Sequence, residues 1–99
     1  MTTEAQFAHI QRIVLDFLGV VAGCHESTAY ADDRRIYADD AVLILRAFSD
    51  FRRERNIEDF QSAIAKEFTR RVSNLWRRGS VGEQFERAFA TFSDEIADV

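Results

Sequence analysis

The chain has 99 residues and a mass of 11.4 kDa, which fits one domain over residues 1–99 and leaves no room for two. An apolar fraction of 46% and a charged fraction of 30% argue against intrinsic disorder and against a membrane-spanning chain. Proline is absent, and the single Cys24 excludes an intramolecular disulfide. We therefore expect a compact helical protein of the cytoplasm.

The first predicted helix runs from about Glu4 to Ala22. Thr3, with Gln6 three residues later, has the form of a capping box. Gly23 is expected to end the helix as a left-handed C-cap and to open a connector over Gly23–Ser27. One apolar stripe recurs at steps of three and four residues: Phe7, Ile10, Val14, Phe17, Leu18 and Val21. Three further apolar residues lie off that stripe: Ile13, Leu15 and Val20.

The second predicted helix begins near Ser27 or Thr28 and continues to Arg55, with a break allowed at Ser49-Asp50. Its main stripe comprises Tyr30, Tyr37, Ala41, Ile44, Phe48 and Phe51. A second apolar line comprises Ile36, Leu43 and Ala47. The run Ala41–Leu45 is apolar all round, which predicts burial on several sides and is far too short to span a bilayer.

Two more helices complete the prediction. Asn56 is an N-cap candidate before a helix over Ile57–Arg78, and Ser80 with Glu83 resembles a capping box before a helix over Val81–Ala97. Their stripes are Ile57, Phe60, Ile64, Phe68, Val72 and Leu75, then Phe85, Ala88, Phe89, Phe92 and Ile96. The fold class is therefore all-α: a four-helix antiparallel bundle-like domain with a long second helix. The short Gly79-Ser80 link predicts a tight hairpin between helices 3 and 4.

A local repeat places acidic residues on the second helix. Tyr-Ala-Asp-Asp occurs at residues 30–33 and again at residues 37–40, and a spacing of seven returns to nearly the same helix face. We expect a surface for a protein partner with a basic patch, or else a solvated acidic face. The candidate partner-binding residues are Tyr30, Asp32, Asp33, Tyr37, Asp39 and Asp40.

Basic residues concentrate in the middle of the chain. Residues 1–45 carry 3 basic and 7 acidic residues, residues 46–78 carry 9 and 5, and residues 79–99 carry 1 and 5. The segment charges of −4, +4 and −4 sum to the net −4 of the whole chain. An alternative function is therefore nucleic-acid binding, although the overall acidity argues against it. The candidate residues are Arg52, Arg53, Lys66, Arg70, Asn74, Arg77 and Arg78.

Motifs for catalysis, metal binding or phosphate binding are absent from the sequence. Cys24-His25 is the one thiol–imidazole neighbourhood, and neighbouring side chains usually point apart. We expect no catalytic residues, no metal site and no cofactor. The leading hypothesis is a small non-enzymatic interaction module: an adaptor, a regulatory subunit or an inhibitor of the immunity or phage-encoded type.

Helices 1 and 2 carry more apolar surface than one small bundle needs, since one stripe per helix suffices. The excess can be buried if the second helix is central, or if two chains share a core. We therefore expect a homo-oligomer, with a two-fold dimer as the simplest form. A structural subunit of such an oligomer is a further alternative function.

Overall fold

The computed structural model describes the backbone of residues 2–78 and 83–99 and the side chains of residues 2–70 and 84–99. Within those residues the chain forms four helices and no strand. They are α1 (Glu4–Ser27), α2 (Ala31–Glu54), α3 (Ile57–Arg78) and α4 (Glu83–Ala97). The all-α prediction is confirmed. The predicted start of helix 4 at Val81, its capping box and the Gly79-Ser80 link lie outside the described residues.

The start of α1 follows the sequence prediction and its end does not. Gln6 N donates to Thr3 Oγ1 at 3.1 Å, and Thr3 N donates to Gln6 Oε1 at 3.0 Å, so the capping box is confirmed. The prediction that Gly23 ends the helix is wrong, because α1 continues to Ser27. Glycine lowers helix stability but does not stop a helix whose following residues continue to pack. Thr28, in extended geometry, is the C-cap.

α2 is one uninterrupted helix between two short turns. It begins at Ala31, three residues later than the latest predicted start, and no break occurs at Ser49-Asp50. Arg55 ends it in the left-handed conformation, at φ 57°. The guanidinium of Arg55 lies 3.7 Å from the ring centroid of Phe7, a cation–π contact that ties this turn to α1.

The helices form a closed antiparallel ring in which α1 contacts α2, α2 contacts α3, α3 contacts α4 and α4 contacts α1. Two hydrogen bonds fix the directions. Thr2 Oγ1 donates to the carbonyl of Arg55 at 2.7 Å, so α1 begins where α2 ends. Gln61 Nε2 donates to the carbonyl of Ile96 at 3.0 Å, so α3 begins where α4 ends. The bundle-like arrangement predicted from the sequence is confirmed.

The core is aromatic at both ends. Near the start of α1, Phe51 stacks on Phe60 with centroids 5.2 Å apart. Farther along, Phe17 stacks on Phe92 at 4.5 Å, and Tyr37 meets Phe85 at 4.8 Å. Within the described side chains, the predicted stripe of α4 faces this core. The predicted core positions Val72 and Leu75 have side chains outside the described set.

The folded chain exposes more surface than its mass predicts. Its accessible area is 6,646 Å², whereas the scaling law for compact monomers gives roughly 5,800 Å². The molecule measures 42 × 24 × 19 Å, an elongated shape that accounts for part of the difference. Three large aliphatic side chains are among those exposed: Leu15, Val42 and Leu45.

Candidate protein-interaction surface

One side of the α1–α2 pair presents apolar side chains to solvent. We call this side the α1–α2 face, and it comprises Leu15, Leu18, Ala22, Ala38, Ala41, Val42 and Leu45. Leu15 is 56% exposed, Val42 44% and Leu45 50%. A contiguous exposed apolar patch is uncommon on a monomeric protein and usually marks an interaction site.

A groove runs between the two helices of this face. Its volume is about 340 Å³, and its apolar lining includes Leu18, Ala22, Ala41 and Leu45. The same lining reaches Tyr37 at the base. A groove between two antiparallel helices, lined by aliphatic side chains, accepts the apolar side chains of another protein element.

The burial predicted for Ala41–Leu45 is wrong on one side. Ile44 is 1% exposed, whereas its neighbours Val42 and Leu45 point outward. The inward side of α2 is filled by a stripe of residues at steps of three and four, and Ala41 packs beside it, so Val42 and Leu45 have no core to enter. Their surface is available for contact with another molecule.

Two glycines leave the surface of α1 without side chains beside this face. Nothing lies within 4 Å of a Cβ built on Gly19 or on Gly23, so both glycines border open space. Neither has a positive φ, and neither is therefore required by backbone geometry. An approaching helix would meet little steric resistance along this part of α1.

The acidic repeat is divided between surface and core. Tyr30 is 72% exposed, and the carboxylates of Asp32 and Asp39 are also exposed. The expectation of a single exposed surface is wrong for the other three predicted partner-binding residues. These are Asp33, Tyr37 and Asp40, which are 8%, 4% and 5% exposed.

The division follows from the inward stripe of α2. Asp33, Tyr37 and Asp40 continue at steps of four and three to Ile44, and the same line extends to Phe48 and Phe51. The seven-residue echo therefore repeats a core position as well as a surface position. The sequence already indicated that Asp33 and Asp40 are buried, because both residues share the spacing of the apolar stripe.

The Arg-rich segment is partly neutralised by neighbouring carboxylates. Arg53 pairs with Asp50 at 3.0 Å and with Glu54 at 3.4 Å. Arg70 pairs with Glu67 at 2.5 Å. The remaining described candidates, Arg52 and Lys66, are exposed. The side chains of Asn74, Arg77 and Arg78 lie outside the described set.

The electrostatics around Arg70 link α3 to the acidic repeat. Glu67 accepts hydrogen bonds from the Arg70 guanidinium and raises the pKa of that group above its ordinary value. The negative charge of Asp39 on α2 adds to this rise, while partial desolvation opposes it. Asp39, one of the exposed carboxylates of the acidic repeat, therefore lies near enough to Arg70 to interact with its charge.

Among the described residues, no group of three or more His, Cys, Asp or Glu side chains is placed to hold a metal ion. Cys24 is half-buried and His25 is exposed at the rim of the apolar groove.

One described helix, α1, is long and apolar enough to cross a membrane by length and composition. Only 28% of its most apolar 18-residue stretch is buried within the fold. A core helix of a soluble protein passes the same test, and α1 supplies Ile10, Val14 and Phe17 to the core.

Comparisons with known proteins return no match: no protein-family model, no curated protein and no solved structure corresponds to this chain.

Proposed function

We propose that the chain is a small protein-interaction module that acts by binding through the α1–α2 face. The observation that carries this proposal is the exposure of Leu15, Val42 and Leu45 around one apolar groove. Covering such a patch removes apolar surface from water at roughly 25 cal/mol per Å², which is the main driving term in protein association. Charged side chains around the groove would supply selectivity and a faster encounter.

The anatomy of this side supports a protein contact. Its centre is aliphatic, and its edges carry Glu26 on α1 and Arg34 and Arg46 on α2. An apolar centre within a polar rim is the usual composition of protein interfaces, whose core is depleted in charge.

The nucleic-acid alternative has less support. Two of its described cations, Arg53 and Arg70, are held in ion pairs with carboxylates of the same chain. Those carboxylates would repel phosphate and would have to be displaced before binding. The version based on the acidic repeat retains Tyr30, Asp32 and Asp39 as exposed residues, and a partner with a basic patch is its expected ligand.

Site-specific photo-cross-linking in the native host tests the proposal. The variant Leu45→p-benzoylphenylalanine places the photoreactive group on the α1–α2 face, and Lys66→p-benzoylphenylalanine places it on exposed α3 as a matched control. We expect a protein adduct, identified by mass spectrometry, at position 45 and not at position 66. Equal adducts at both positions, or none at position 45, would overturn the proposal.

A further inference from the structure

We draw no further inference here: the strongest candidate, the exposed apolar α1–α2 face with the groove between its two helices, belongs to the surface already described, and nothing in the structure shows what covers it.

Discussion

The two flanks of α2 differ in the chemistry of their side chains: one is apolar and exposed, and the other is charged. On the flank towards α1, Ala38, Val42 and Leu45 are exposed and apolar. On the flank towards α3, Asp39 contributes to the electrostatics of Arg70, and Asp50 is paired with Arg53. The charges on the charged flank are hydrated or paired, so this flank needs no further partner in water. Covering the apolar flank would lower the free energy, because it would remove apolar surface from water.

The comparison shows where the surplus apolar residues of the sequence lie. Part of the surplus enlarges the core, because Ile13 is buried and Ile36 and Ala47 pack against the buried residues. The rest, which includes Leu15, Val42 and Leu45, forms a second, exposed apolar surface. This is the pattern expected of a helix that packs against its own bundle on one side and against another molecule on a neighbouring side.

The largest expected effect comes from two adjacent residues of α2. Ile44→Ala removes a side chain that is 1% exposed and should lower the free energy of unfolding by about 2–5 kcal/mol. Leu45→Ala removes one that is 50% exposed and should change it by less than about 0.5 kcal/mol. Urea unfolding at a low protein concentration measures both. Equal losses would contradict the exposure of Leu45 on the flank towards α1.

The turn that joins the charged flank to α3 depends on Asn56. Asp59 N donates to Asn56 Oδ1 at 3.1 Å, which confirms the N-cap predicted from the sequence. Asn56→Ala leaves that donor without its cap and should lower stability by about 1 kcal/mol. Ser62→Ala, at an exposed position inside the same helix, is the control and should be neutral or slightly stabilising. An unchanged melting temperature for Asn56→Ala would contradict the assignment.

On the apolar side of the molecule, Gly23 lies inside α1 with open space around it. Gly23→Ala should therefore raise stability by about 0.5–1 kcal/mol, because alanine loses less backbone entropy in a helix. Gly19→Ala should give a similar gain. A loss of stability at position 23 alone would indicate the left-handed C-cap that the sequence suggested.

The smallest effect is expected on the charged flank. Glu67→Gln removes the partner of Arg70, whose side chain is 60% exposed, so the loss should stay below about 0.5 kcal/mol and shrink further in high salt. Because the pKa of Arg70 is raised in the fold, its contribution is fully present below the ordinary pKa of the guanidinium. That contribution is lost only as the pH rises through the raised value. Unfolding of wild type and variant at low and high salt measures the difference.

Local features of the fold could be predicted from the sequence because they depend on neighbouring residues. The capping box at Thr3 and the N-cap at Asn56 are set by side chains three positions from the donors they satisfy. The inward stripe of α4 could also be predicted, since its apolar residues occupy one face and leave one choice of orientation. The Gly23 prediction failed because a glycine inside a helix has the same local signature as a glycine at its end.

The candidate surface could be predicted only in part. The excess of apolar residues on α1 and α2 was visible in the composition of the two helices, and Leu15 already lay off the main stripe. Which apolar line would face outward was not visible. For the acidic repeat, the sequence analysis expected two buried residues to lie at the surface. Asp33 and Asp40 resemble surface residues by type, but their spacing is that of core residues.

Periodicity and capping act within a few residues, so the helical class and the caps that begin α1 and α3 follow from local sequence. The packing of the four helices against one another sets which side of α2 is core, which flank meets the charges of α3 and which apolar residues stay in water. A helix with apolar residues around more than half of its circumference can turn more than one side inward. Only the positions of α1, α3 and α4 around α2 select one orientation, and that selection left Val42 and Leu45 exposed.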